Sequence, residues 1–164
     1  MRTWICGALV CGLAVAGSSG CDVIDWGLGE PHSCRLSSIH DGDTVSVRCA
    51  GDTLRVRLYC IDAPEMSQSP WGAASRDHLR RLAPERVDLW ILDRDRYGRK
   101  VGELLDPRSG QSLNLAMVRA GQAAVYRQFC DDWHFHIAEF QARREGLGIW
   151  SQPGLHPRPW AYRR

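Results

Sequence analysis

The run Thr44-Val45-Ser46-Val47-Arg48-Cys49-Ala50-Gly51-Asp52-Thr53-Leu54-Arg55-Val56-Arg57-Leu58-Tyr59-Cys60-Ile61 carries the periodicity on which the fold depends. Val45, Val47 and Cys49 alternate with Ser46 and Arg48, and Leu54, Val56, Leu58 and Cys60 alternate with Arg55, Arg57 and Tyr59. Period-two alternation places one set of side chains in a core and the other in solvent, the pattern of half-buried strands. Turns at Asp41-Gly42-Asp43 and Ala50-Gly51-Asp52 divide the stretch from Ser33 to Ile61 into three strands. A hairpin folded about Gly42 sets Cys34 opposite Cys49, which leaves Cys60 and Cys130 as the remaining disulfide pair.

Downstream, Pro70 and Trp71 open a helix on which Leu79 and Leu82 share a face, with Ser75 and Asp77 expected on the exposed side. Pro84 ends it. Val87, Leu89 and Ile91 alternate as a fourth strand, and Lys100 to Leu105 follow the Tyr97-Gly98 turn as a fifth. Ser112 caps a short helix through Leu115, Ala116 and Val118, closed by Gly121. Either Asp131 or Asp132 caps a last helix, which carries Ile137, Phe140 and Gln141 one turn apart and stops before Gly146. Five strands with a helix between the third and fourth predict an α+β fold, a five-stranded OB-type barrel with about three helices.

The 164 residues suffice for one domain, and 44% hydrophobic with 24% charged residues is ordinary globular composition. The net charge of +2 offers no global field to attract a polyanion, so any phosphate must be met by a few placed cations. Lys100 is the only lysine; arginine's planar fork suits bidentate phosphate contacts, although GC-rich codons give the same bias. Residues 1–20 read as an export signal, with Arg2 ahead of the apolar stretch Ile5 to Ala16. Two cleavage sites compete: after Ala14-Val15-Ala16, or before Cys21 in Ser18-Ser19-Gly20-Cys21, which resembles a bacterial lipobox with serine where leucine is usual. Lipidation of Cys21 would leave four cysteines for two disulfides, whereas cleavage after Ala16 leaves five. Residues 21–32 read as a linker, 33–151 as the folded domain, and 152–164 as a proline-rich extended tail. The expected location is outside the cytoplasm, periplasmic or extracellular, with attachment to a membrane if the anchor forms. His134 and His136 lie two apart on a helix, face different ways, and read as surface residues.

Chemistry concentrates in short acidic and basic motifs. Asp41-Gly42-Asp43-Thr44, Asp62-Ala63-Pro64-Glu65 and Asp95-Arg96-Tyr97-Gly98-Arg99 each have an ordinary explanation as turns or strand ends. Together, in this order, and with Arg57-Leu58-Tyr59-Cys60-Ile61 before the second, they resemble the staphylococcal nuclease family. The resemblance continues through Leu113-Asn114-Leu115-Ala116-Met117-Val118-Arg119 with Gly121, Ala138-Glu139 and Gly148-Ile149-Trp150-Ser151.

That resemblance implies a Ca²⁺-dependent hydrolase of DNA and RNA, monomeric, favouring single strands and leaving 3′-phosphate products. It implies that Asp43, Asp62 and the Ala63 carbonyl ligate the ion, with Asp41 behind them ordering water. Hard oxygen donors in a partly open site suit Ca²⁺. Arg57 and Arg99 would grip the phosphate, and Glu65 would orient or deprotonate the attacking water. Tyr97 would contact the phosphate or stack on a base; Tyr126 has either a substrate-binding or a structural role. The segment Met66 to Pro70 is shorter than the corresponding staphylococcal loop and has no lysine. The competing class is a barrel of the same fold that binds nucleic acid or protein without cutting. Strict alternation puts Arg57 and Asp62 on opposite faces, so either the strand ends or a bulge intervenes between them.

Overall fold

The computed structural model describes residues 29–153 and Pro159. The signal segment, Cys21 and the greater parts of the linker and tail lie outside the described residues.

The two hairpins form as the alternation requires. Strands β1 (Pro31–Ile39), β2 (Thr44–Cys49) and β3 (Asp52–Leu58) are joined antiparallel in sequence. Strand β1 begins at Pro31, two residues before the expected start of the domain. Between β2 and β3 only Ala50 and Gly51 are outside the ladder. Both have positive φ, +46° and +99°, the backbone twist that a two-residue hairpin demands. Cys34 pairs directly with Cys49 across the first hairpin, and the disulfides are Cys34–Cys49 and Cys60–Cys130.

After the short strand β4 (Ile61–Asp62) and helix α1 (Trp71–Leu82), β5 (Arg86–Arg94) and β6 (Lys100–Leu105) close the barrel in the order β1-β2-β3-β6-β5. The closing pair, β3 with β6, is parallel. Val45, Val47, Val56, Leu58, Leu89, Ile91 and Leu104 fill its interior. The fold is thus α+β, a closed five-stranded mixed barrel with three helices, as the sequence predicts. Helix α2 (Leu113–Arg119) is capped by Ser112, whose hydroxyl accepts from Leu115 N–H. Helix α3 (Trp133–Arg144) is capped by Asp132, which settles the choice between the two aspartates. Strand β7 (Ala124–Val125) pairs with β4 as a separate two-stranded sheet that the alternation does not announce.

One expectation is corrected. Ser75 is fully buried rather than exposed, because its hydroxyl donates to the Gln122 carbonyl at 2.7 Å where α1 packs on the segment after α2. On α3 the buried face is Phe135, Ala138, Glu139 and Ala142, while Ile137 and Phe140 face outward. Glu139 is kept inside by Val125 N–H and by Arg127 and Arg143, which together satisfy its carboxylate.

Candidate active site

Three chain segments converge where β2 begins and β3 ends. Thr44, the first residue of β2, is in register with Arg57 of β3, so the turn carrying Asp41 and Asp43 lies beside the Arg57 side chain. The carbonyl of Asp43 accepts from Leu58 N–H at 2.7 Å, which pins the turn to the strand. The turn also packs against α1: a Cβ at Gly42 would run into the Ser75 hydroxyl and meet Ala63 Cβ at 2.7 Å, so only glycine fits.

The opposed faces of Arg57 and Asp62 are reconciled by the first alternative: the strand ends. Strand β3 stops at Leu58, Cys60 adopts a left-handed backbone at φ +69°, and Ile61–Asp62 start a new strand paired to β7. The change of direction turns the Asp62 carboxylate back towards Arg57. Cys60 is locked at this corner by its disulfide to Cys130 and by Tyr126 N–H, which donates to its carbonyl at 2.9 Å. Asn114, wholly buried, braces the same corner by donating to the Tyr59 and Gly102 carbonyls and accepting from Leu104 N–H. Its signal in the sequence is a lone amide in the apolar helix Leu113–Arg119.

The resulting geometry is compact. Arg57 Nη1 lies 2.5 Å from Asp43 Oδ1, and Nη2 lies 3.2 Å from Asp62 Oδ1. The second Asp43 oxygen accepts from Ala63 N–H at 2.6 Å, and the Thr44 hydroxyl donates to the first at 3.1 Å. Asp41 accepts from Asp43 N–H at 2.9 Å. Burial, and then repulsion from Asp43, push the Asp41 carboxyl up to about 6. A half-buried acid held beside a second acid marks a place where additional positive charge would be stabilising.

Asp41, Asp43, Arg57, Asp62 and Ala63 are therefore joined by direct contacts or by the same turn. Glu65 follows on the same segment, half-buried, with its N–H donated to the side chain of Gln68 at 2.7 Å. Arg99 stands two residues before Val101, the partner of Arg57 in β6, and its guanidinium is held by Asp95 of its own hairpin at 2.6 Å. That pairing lowers the Asp95 carboxyl despite the opposing effect of desolvation. Tyr97 is 71% exposed at the hairpin tip, with Arg96 and Arg99 over its ring. Tyr126 directly follows β7, its ring edge-on to exposed Phe129 at 5.0 Å. His134 and His136 take local partners, Asp132 and the Cys130 carbonyl. Gln68, Ser75 and Asn114 were given no role by the sequence reading.

Two comparisons bear on this arrangement. The family profile described as "Staphylococcal nuclease homologue" matches residues 55–152. The chain belongs to the staphylococcal nuclease family. Its similar proteins include an "Uncharacterized endonuclease" of Escherichia coli O157:H7, 38% identical over 130 residues, 79% of this chain and 83% of that protein. A "Micrococcal nuclease" of Shigella flexneri is 38% identical over 136 residues, 77% of each chain. The "Staphylococcal-like nuclease CAN1" of Arabidopsis thaliana is 29% identical over 111 residues, covering 67% of this chain and 33% of that protein. Membership in the staphylococcal nuclease family supports nuclease chemistry, the hydrolysis of a nucleic-acid phosphodiester. Arg57, Asp62, Ala63, Glu65 and Arg99 fall inside the segment matched by the family profile, whereas Asp41 and Asp43 precede it and are brought in by the β2–β3 register.

The donor chemistry of the site fits a hard divalent cation. Two carboxylate oxygens, from Asp43 and Asp62, already converge on a single guanidinium, and Asp41 adds a charge behind them. Among the described residues no three His, Cys, Asp or Glu side chains form a ready cage.

Proposed function

We propose that this chain is an exported, Ca²⁺-dependent nuclease that hydrolyses single-stranded DNA and RNA as a monomer, at internal and terminal bonds, leaving 3′-phosphates. The observation that supports this reading is the Arg57 guanidinium bridging Asp43 and Asp62, a cation suited to phosphate beside two hard oxygen donors. Asp43, Asp62 and the Ala63 carbonyl would hold the ion, which supplies positive charge against the phosphate oxygens. Arg57 then exchanges its two carboxylates for the phosphate, and Arg99 leaves Asp95 to take a second phosphate oxygen. Glu65 orients the attacking water and receives its proton. The water oxygen bonds to phosphorus as the bond to the 5′ oxygen breaks, and that oxygen leaves as a hydroxyl with a proton from solvent. Tyr97 and Tyr126 would flank the strand and offer their rings to phosphate or base.

Export is supported by two disulfides, which persist in oxidising compartments, and by the reading of residues 1–20. Lipidation of Cys21 would tether the domain to a membrane; among the described residues no helix is long and apolar enough to cross one. A weak site needing roughly 10⁻⁴–10⁻³ M Ca²⁺ would keep the enzyme silent before export.

The test is hydrolysis of single-stranded DNA by residues 22–164, with Ca²⁺ and with chelator, beside Glu65→Gln. Cleavage that needs Ca²⁺ and collapses in the variant is the expected result. Binding of DNA without cleavage under either condition would transfer the chain to the class of silent binding modules.

A further inference from the structure

Among its exposed loop neighbours Met66, Ser67, Ser69 and Pro70, Gln68 is buried to 3%. An amide in a short surface loop is taken from water only where its polar atoms are satisfied. Its Oε1 accepts the Glu65 N–H at 2.7 Å, while its own main-chain N–H donates to the Glu65 carbonyl at 2.8 Å. Side chain and main chain of one residue thus grip the peptide groups on both sides of the Glu65 Cα. The Gln68 carbonyl in turn accepts from Gly72 N–H at 2.8 Å, in the first turn of α1. Gly72 lies so close that a Cβ there would run into the Glu65 carbonyl oxygen and come within 2.8 Å of Met66 Cα. Helix α1 is itself fixed by Ser75, which bonds to Gln122 and seats Gly42 of the Asp41-Gly42-Asp43 turn. The backbone of Glu65 is thereby referred to the same scaffold as the proposed ion ligands.

We infer that Gln68 is a positioning residue for the reaction: it fixes the Cα of Glu65 so that the carboxylate meets the attacking water. The inference rests on the proposed role of Glu65. A displacement of about 1 Å at a reacting group costs on the order of 10²-fold in rate, and Gln68 holds the Glu65 backbone through both its side chain and its main chain. The hydrogen bonds through which Gln68 holds the loop go to Glu65 and Gly72, so its loss should fall on the chemical step rather than on binding.

The experiment compares wild type, Gln68→Met, Gln68→Glu, Glu65→Gln and the double variant Glu65→Gln/Gln68→Met on single-stranded DNA at saturating Ca²⁺. Methionine keeps the length without the acceptor; glutamate restores an acceptor at the same reach. Gln68→Met should lower kcat about 10–100-fold, with KM and the Ca²⁺ concentration for half-maximal rate changed less than about threefold. Gln68→Glu should bring kcat back to within about threefold of wild type. In the Glu65→Gln background Gln68→Met should cost less than about threefold further, because the group it positions is gone. A kcat for Gln68→Met within twofold of wild type, or an equal loss in both backgrounds, overturns the inference. Should Gln68→Met not fold, Gln68→Glu decides: a folded Gln68→Glu with kcat within about threefold of wild type supports the inference, and a larger loss, or failure to fold, overturns it. A Glu65→Gln variant that still cuts at the wild-type rate instead overturns the role of Glu65.

Discussion

Replacing Arg57 by alanine removes the counter-ion of two carboxylates whose side chains are only 8% and 2% exposed. Breaking a buried ion pair from one side costs about 3–5 kcal/mol, since the abandoned charge stays desolvated. Asp43 keeps the Thr44 hydroxyl and Ala63 N–H, so the lower end, about 3 kcal/mol, is expected in chelator. Calcium should reverse much of this. At 10 mM and a dissociation constant of roughly 10⁻⁴–10⁻³ M, binding stabilises the native state by about 1.4–2.7 kcal/mol. The variant should gain more than the wild type, because its carboxylates meet the ion without a competing guanidinium. Urea unfolding followed by tryptophan fluorescence, in EDTA and in 10 mM Ca²⁺, measures both quantities. DNA hydrolysis should stay lost in both conditions, as the phosphate clamp is not restored. A deficit below about 1 kcal/mol in EDTA, or an equal deficit with and without Ca²⁺, would refute the idea that Arg57 stands in for the ion.

Asp41 binds its proton more tightly in the folded chain, near 6, than an ordinary aspartate does. Its ionisation therefore costs stability that is intact below about pH 4, lost as pH rises through 6, and constant above. Asp41→Asn should stabilise the chelated protein at pH 7.5 by about 1–2 kcal/mol, allowing for solvent at a half-buried group; thermal melts in EDTA that show no gain, or a gain persisting below pH 4, contradict this. Cys34–Cys49 closes 15 residues and Cys60–Cys130 closes 70, so replacing each pair by serine should cost about 3 and about 4 kcal/mol by the loop-entropy argument. Only the second should also depress kcat, because Cys60 holds the corner that aims Asp62; equal effects on DNA hydrolysis from both pairs would contradict that placement.

What the sequence by itself determined is whatever depends on neighbours within a few residues. Val45/Val47 and Leu54/Val56/Leu58 alternate because a strand repeats every two residues, and Ala50-Gly51 can turn only one way between them. The register of the preceding hairpin, β1 with β2 about Gly42, was enough to oppose Cys34 and Cys49, and Ser112 and Pro84 mark helix ends through their own hydrogen-bonding chemistry. The acidic and arginine motifs were legible as a family resemblance, and the family match agrees. Tertiary structure alone decided the rest. Ser75 reads as polar and exposed until the Gln122 carbonyl, 47 residues away, gives its hydroxyl a buried partner. Nothing in the apolar pattern of α3 places Glu139 inside while Ile137 and Phe140 face outward; Arg127 and Arg143, which neutralise the buried carboxylate, do. Asp62 faces Arg57 only because β3 stops at Leu58 and β7 captures the two residues that follow. Burial of a polar group, and the direction in which a carboxylate points, are set by partners distant in the chain, and a local periodicity carries no record of them.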